Sequence, residues 1–309
     1  MPELPEVETT VQGLRKTVVG LSILDVWTDL NTKDKRKNET IANKKYVAQF
    51  RKETVGQKII SVERRAKNIL INLSGSKTIL VHMKMTGHLL YGKYEYHPTL
   101  VKGRVGEGFW SAAEKGPLQD PFNKFLHVVF TLSNGKHLAL SDMRKFAKVT
   151  LLDAKATHDS KHLGHLGPEP LEKSFTLEKL KERLMKRPNG KIKTVLMDQT
   201  IIAGIGNIYS DEILWRSGIH PERRIKDIQE SKFKLVFKSV RETLSKGLDF
   251  GGDSTSDYRN IHGLPGKFQL HHNAYRKTGK PCAKPRCKGI IQRKIIAGRS
   301  AHFCNVHQK

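Results

Sequence analysis

Val7, Val11, Leu14 and Val18 form one apolar stripe at helical spacing, and Gly20 follows them. The spacing predicts a helix over 6–19. Beyond it the period drops to two. Short apolar or alternating runs at 58–62, 69–73, 78–83, 126–132, 137–140 and 148–152 read as strands, parted by turn sequences such as Ser74-Gly75-Ser76 and Ser133-Asn134-Gly135. The first half is therefore expected to be a mostly antiparallel β-sandwich behind an N-terminal helix. Residues 92–124 show scattered Gly and Pro without a clear period and read as a long surface excursion. Near 155–173 the pattern changes again, and Leu166-Gly167-Pro168-Glu169-Pro170-Leu171 looks like a rigid linker. Helices are expected at 177–184, 192–197, 207–217 and 232–248. The last carries the buried stripe Phe233, Val236, Phe237, Val240, Leu244 and Leu248, and Gly218 and Pro221 end the third. No internal repeat is present. The pattern divides the chain into an N-terminal sandwich domain (1–155), a linker (156–175), a helical domain (176–268) and a C-terminal element (269–309).

The charge narrows the partner. With 309 residues the chain can fold two ordinary domains, and 56 Lys+Arg against 30 Asp+Glu leave a net +26. Such an excess points to a polyanion, either nucleic acid or an anionic membrane. Runs such as Asn68-Ile69-Leu70-Ile71-Asn72-Leu73 are too short to cross a bilayer, and Met1-Pro2-Glu3-Leu4-Pro5-Glu6 lacks the basic start and apolar core of a signal peptide. Nucleic acid is the expected partner, no membrane is expected, and the location is expected to be the cytoplasm with its nucleoid. No acidic residue follows Asp257, while lysines and arginines continue to Lys309.

That acid-free stretch holds all three cysteines, Cys282, Cys287 and Cys304, an odd number that argues against a disulfide framework. Cys282-x4-Cys287 and Cys304-x2-His307 are two short-spaced pairs that can close a tetrahedral zinc site of three thiolates and one imidazole. His302 competes, less well placed, for the fourth position. The alternative is three reduced thiols and an unrelated histidine. The segment from Ile290 to Phe303 reads as a β-hairpin with Arg299, after Gly298, near its tip.

Gly204 and Gly206, in Leu196-Met197-Asp198-Gln199-Thr200-Ile201-Ile202-Ala203-Gly204-Ile205-Gly206-Asn207-Ile208-Tyr209, permit a tight turn and close backbone approach. Asn207 opens the next helix, either as part of a phosphate site at the free N–H groups or as an ordinary cap.

Three motifs in this order carry a resemblance: Pro2-Glu3-Leu4-Pro5-Glu6-Val7-Glu8-Thr9, the segment ending in Gly206-Asn207-Ile208-Tyr209, and the terminal cysteine–histidine hairpin. The chain resembles the bacterial formamidopyrimidine-DNA glycosylases, in the family that also includes endonuclease VIII, over almost its whole length apart from 92–124. The resemblance implies an α+β fold: an antiparallel β-sandwich with an N-terminal helix, then a helix–two-turn–helix domain ending in a β-hairpin zinc finger. It further implies that Met1 is removed and that Pro2 is the nucleophile. Glu3 is then the general acid/base, with Glu6 supporting the site. Lys67, in Arg64-Arg65-Ala66-Lys67, takes a phosphate-contacting and assisting role. Asn207 and Arg299 match phosphate clamps, Met85 the intercalating residue, and Arg144 and Phe146 the pair facing the opposite strand. The loop 258–266 resembles the one that closes over a flipped base.

The chemistry is coherent without the name. A secondary amine attacks C1′ directly, and its adduct loses the base to become a cationic Schiff base. An α-amino group titrates at about 7.7–8.0 and is a usable nucleophile near neutrality. A damaged base must leave the stack first, and Met85, Arg144 and Phe146 suit the hole it leaves. The expected function is a bifunctional glycosylase and AP lyase. It removes oxidised purines (8-oxoguanine, formamidopyrimidines) from duplex DNA and cuts the abasic strand by β,δ-elimination, as a monomer holding one structural zinc. The alternatives are an oxidised-pyrimidine enzyme of the same family and a non-enzymatic DNA-binding protein. The chain departs from the family pattern in the x4 cysteine spacing, His307 in place of cysteine, the length of 92–124, and Arg276 in place of glycine.

Overall fold

The computed structural model describes residues 1–32, 34, 37–101, 104–105 and 108–309. In chain order the elements are α1 (Leu4–Thr17), β1 (Ile23–Thr28), α2 (Lys44–Thr54), β2 (Ile59–Arg65), β3 (Asn68–Leu73), β4 (Lys77–His82), β5 (His88–Gly92), β6 (Tyr94–His97), β7 (Leu100–Val101), β8 (Arg104–Val105), β9 (Phe109–Ala112), β10 (Leu126–Leu132), β11 (His137–Ser141), β12 (Lys148–Asp153), α3 (Leu177–Met185), α4 (Ile192–Met197), α5 (Asn207–Ser217), α6 (Glu230–Asp249), β13 (Ile291–Ile296) and β14 (Arg299–Cys304). They fall into two compact units. One comprises residues 1–2, 6–164 and 251–266, the other residues 3–5, 165–250 and 267–309.

The first unit carries two four-stranded antiparallel sheets, ordered β1-β10-β11-β5 and β12-β4-β3-β2. Alternation explains its layering. Val128, Phe130 and Leu132 of β10 and Leu138 and Leu140 of β11 join the main core with Ile69, Ile71, Ile79 and Val81 of the other sheet and Val7, Val11, Leu14 and Val18 of the N-terminal segment. The intervening Val129, Ala139 and Leu90 point the other way, into a small core with Tyr94, Leu118, Trp27 and Trp110. The excursion after β5 is thus more ordered than its sequence suggests. β6 pairs with β9, Tyr94 opposite Ala112 and Tyr96 opposite Trp110, and the hairpin packs its aromatics on the back of the sheet. Residues 102–103 and 106–107 lie outside the described residues.

In the second unit α3–α6 share one core, in which Val236, Val240 and Leu244 of α6 meet Ile213 and Tyr209 of α5, Leu180 and Leu184 of α3, and Leu4. Gly218, at φ 70, closes α5 in the left-handed conformation. β13 and β14 form a terminal hairpin whose two-residue turn, Ala297-Gly298, has both φ angles positive (46 and 74). Among the described residues no helix is long and apolar enough to cross a membrane.

Candidate active site and nucleic-acid interface

Within the helical unit, the turn between α4 and α5 is built by side chains that replace backbone partners. Gln199 donates from Nε2 to the carbonyls of Met197 and Ile205 and accepts from Gly204 N. Gly204, at φ 87, gives its carbonyl to Leu4 N at 3.0 Å, and a Cβ on it would lie 2.7 Å from the Leu4 side chain. Gly206 has no room for a side chain either, because its Cβ would stand 2.4 Å from Glu3 Cδ. Both glycines are there so that residues 3 and 4 can approach.

That approach seats the Glu3 carboxylate on the start of α5. Gly206 N donates to Oε2 at 2.6 Å, Ile208 N to Oε1 at 2.8 Å and Tyr209 N to Oε2 at 3.4 Å. Backbone donors and the positive end of a helix dipole favour an ionised carboxylate. The cap reading of Asn207 does not hold. The cap position is Gly206, no side chain of its own caps the helix, and the N–H groups of Gly206, Ile208 and Tyr209 are taken by Glu3. Asn207 Oδ1 is buried with no partner among the described residues.

A second network lies beneath α5, and sequence reasoning missed it. The fully buried Lys193 of α4 donates to Asp211 Oδ1 (2.6 Å), Ser210 Oγ (2.9 Å) and Asn207 O (3.0 Å), so all three ammonium hydrogens have acceptors. Burial pulls the lysine's pKa down while Asp211 opposes it. The other oxygen of Asp211 accepts from His302 N and Nδ1 at 3.0 and 2.8 Å, on the strand that Arg299 opens. The available signal was a lysine between Ile192 and Val195, on the buried face of a short helix.

His302 is therefore committed to Asp211, and the metal-type cluster is Cys282, Cys287, Cys304 and His307, whose ligand atoms all lie within 4.8 Å of one another. Trp215 O accepts from His307 Nε2 at 2.9 Å, which turns the Nδ1 lone pair toward the thiols. Burial lowers the His307 pKa, favouring the neutral imidazole a metal needs. Each sulfur faces backbone N–H groups: Lys284 N on Cys282, Gly289 N on Cys287 and Val306 N on Cys304, each at 3.4 Å. Gly289 leaves room that a Cβ would take, 2.5 Å from Cys304 Sγ. The four residues fit one tetrahedral ion.

Within the sheet unit, Pro2 is buried just ahead of α1. Glu6 accepts from Asp253 N at 2.7 Å, and its carbonyl accepts from the Tyr258 hydroxyl at 3.0 Å. Lys67, buried, is the second residue of a two-residue turn between β2 and β3, after Ala66 at φ 53. Arg64 holds that turn by bonding Ala66 O at 3.1 Å while its Nε pairs with Glu8 of α1 at 2.8 Å. His82, partly buried, has its pKa pushed down to about 3 by burial and by Lys84, Lys67 and Lys148, so it is neutral at pH 7. Its Nδ1 accepts from Lys84 N, leaving the proton on Nε2.

Met85, Arg144 and Phe146 are brought together. Arg144 Nη1 meets Met85 Sδ at 3.2 Å, and its guanidinium lies 4.6 Å from the centre of the Phe146 ring. Two turns hold them, following Lys84 (φ 56) and Lys145 (φ 54). Asp142 ties these turns together by accepting from the Thr86 hydroxyl, Arg144 N and Ala147 N. Met85 is 42% exposed and Phe146 43%, whereas Met83, two residues away, is 1% exposed and belongs to the core.

This geometry has counterparts among known proteins. Residues 1–149 match the formamidopyrimidine-DNA glycosylase N-terminal domain, and residues 166–259 match the H2TH domain of the same glycosylases. The formamidopyrimidine-DNA glycosylase of Pelotomaculum thermopropionicum is 36% identical over 309 residues, covering 100% of this chain and 99% of that protein. Two solved structures of Lactococcus lactis Fpg are 30% identical with a TM-score of 0.80. One, with DNA containing an abasic site, is matched over 99% of both chains; the other, with DNA containing N7-benzyl-Fapy-dG, over 100%. Fold, site and likeness define a DNA glycosylase of base repair. The chain belongs to the formamidopyrimidine-DNA glycosylase family.

Proposed function

We propose that the protein excises oxidised purines, 8-oxoguanine and formamidopyrimidines, from duplex DNA and cuts the resulting abasic strand by β,δ-elimination. After Met1 is removed, the Pro2 amine attacks C1′, the damaged base departs, and the iminium forms on the proline nitrogen. Glu3 moves the protons of sugar opening and elimination. The observation that carries this reading is the seat of Glu3, an acid adjacent to Pro2 in sequence and fixed by three backbone donors. Glu6 anchors the following segment through Asp253. Lys67, Asn207 and Arg299 bind phosphates, and Met85, Arg144 and Phe146 fill the vacated stack and face the orphaned base. His82, neutral and protonated on Nε2, is a further phosphate donor near Lys67.

Cys282, Cys287, Cys304 and His307 hold one zinc ion. It supplies no reaction chemistry and fixes the base of the hairpin that carries Arg299. The protein works as a monomer in the cytoplasm, on nucleoid DNA. Its functional divisions are a catalytic sandwich (1–155), a linker (156–175), a helical DNA-binding domain (176–268) and a zinc finger (269–309).

Borohydride trapping on a duplex with 8-oxoguanine opposite cytosine tests the mechanism. Correctly processed protein is expected to form a covalent adduct that Pro2→Gly abolishes, and a thymine glycol duplex is expected to trap poorly. Absence of an adduct from the parent overturns the Schiff-base reading. Preferred trapping on thymine glycol overturns the purine preference alone.

A further inference from the structure

The end of the 92–124 excursion has no part in the reaction proposed above, yet buried polar groups tie it to the loop 258–266. Arg259 is only 7% exposed, and a buried guanidinium needs its charge and donors matched. Asp120 supplies the match, with Nε to Oδ2 at 3.2 Å and Nη2 to Oδ1 at 3.4 Å. The guanidinium also lies 4.5 Å from the centre of the Phe122 ring and donates back to the carbonyls of Tyr258 (2.9 Å) and Ser256 (3.3 Å). One side chain thus gathers the loop around itself, and Asp120 and Phe122 hold that side chain.

Asn123 makes a second tie. Its amide donates to Pro117 O at 2.8 Å and Gly263 O at 3.3 Å. With the nitrogen so occupied, its oxygen must accept, and His88 Nε2 lies 2.9 Å away. His88 therefore carries a proton on Nε2, while burial lowers its pKa. His88 begins β5 immediately after the Met85 turn, and its Nδ1 faces Thr86 O. Gly263, at φ 81, comes so near Pro117 O that a Cβ would lie 2.6 Å from it. Within the loop, Asn260 Oδ1 accepts from His262 N and Leu264 N.

We propose that Asp120, Phe122 and Asn123 form a clip that orders the 258–266 loop before DNA binds and couples it to the Met85 turn. The clip is a positioning element that favours lesions still bearing a base. The inference rests on the reading that this loop closes over the flipped base. A loop already ordered loses less conformational entropy on closing, so the base it covers is held more tightly. An abasic site offers no base to cover and gains nothing from the clip.

Single-turnover rates of the full-length processed protein test this on two duplexes, one with 8-oxoguanine opposite cytosine and one with a preformed abasic site. Asp120→Ala and Asn123→Ala are expected to slow base excision about tenfold and strand cleavage at the abasic site less than about twofold, the scale of a small misplacement. Hydrogen exchange at the amides of 258–264 is expected to quicken in both free variants. Asp120→Asn, which keeps one acceptor oxygen for Arg259 and loses the charge, should fall between. Equal losses on both substrates in Asp120→Ala and in the milder Asp120→Asn, or unchanged rates in both, overturn the clip. Asn260→Gly loosens the loop without touching the clip and is expected to shift the same ratio. If Asn260→Gly shifts it and the clip variants do not, the clip fails and the loop reading stands. If Asn260→Gly leaves the ratio unchanged, the loop reading fails and the clip falls with it.

Discussion

Two sets of side chains, one in each unit, are held in opposite ways. In the helical unit charges are buried and saturated: Glu3 by three N–H groups, Lys193 by three acceptors, and Glu212 by the backbone N–H groups of Asn273, Ala274 and Tyr275. In the sheet unit Met85, Arg144 and Phe146 stand at the surface on turns, touching one another. Saturated networks fix geometry and punish loss of any member, because the survivors are left buried and unpaired. Side chains presented on turns have little folded-state contact to lose, and their contribution comes with a partner. Position in the molecule thus separates residues whose mutation harms the protein from those whose mutation harms only what it does.

Five substitutions can break or sharpen this contrast. Glu3→Gln should have the largest effect. Both carboxylate oxygens accept N–H donors, so an amide nitrogen there confronts a donor, and the acid/base is lost as well. Excision should fall about 10²–10⁴-fold in single-turnover assays. Parent-like activity would remove Glu3 from the chemistry. Lys193→Met strands Asp211 and should cost about 3–5 kcal/mol in urea melts. Adding Asp211→Leu should recover part of that loss, and if the pair of changes is merely additive, the network is no unit. Met85→Ala and Phe146→Ala should each alter stability by less than about 0.5 kcal/mol, as surface changes do, while weakening lesion-duplex binding in titrations. A large drop in melting temperature would class these residues with the core instead.

The partly buried histidine of the sheet unit adds a pH slope. His82 has a folded pKa of about 3, below the 6.5 of an ordinary histidine. Between those values the unfolded chain binds more protons, so this group's contribution is full above about pH 6.5 and is lost as pH falls toward 3. His82→Gln should flatten the acid side of a stability–pH curve, and an unchanged slope would mean that the histidine is not held neutral.

Legibility in the sequence followed burial. α4 and α5 match their expected bounds, and α3 and α6 differ by one or two residues at an end, because long apolar stripes leave little choice of face. α1 starts at Leu4 and ends at Thr17, shifted by two residues, since Pro5 is tolerated in a first turn. β1, β5 and α2 carried no expectation. β5 is five residues between glycines, and α2 buries only Phe50 and Thr54. Met85, Arg144 and Phe146 were named through the family resemblance, and the apolar two each follow a lysine in a turn. The seat of Glu3 and the Lys193–Asp211–His302 chain were hidden, since each joins residues far apart in sequence and no local pattern marks a saturated partner.

Ala66, Lys84, Lys145 and Ala297 adopt left-handed backbone at φ 46–56, each one or two residues before Lys67, Met85, Phe146 or Arg299. An L-residue pays roughly 1–2 kcal/mol for this backbone, and the chain entropy glycine loses on folding offsets only about 0.4–1 kcal/mol of that. For an engineer these four turns are a reserve of thermostability that single codon changes could release. Glycine would also widen the range of directions in which the next side chain points. Heat tolerance and aim therefore pull against each other at the same four positions, and a hardier variant drawn from them is a blunter one.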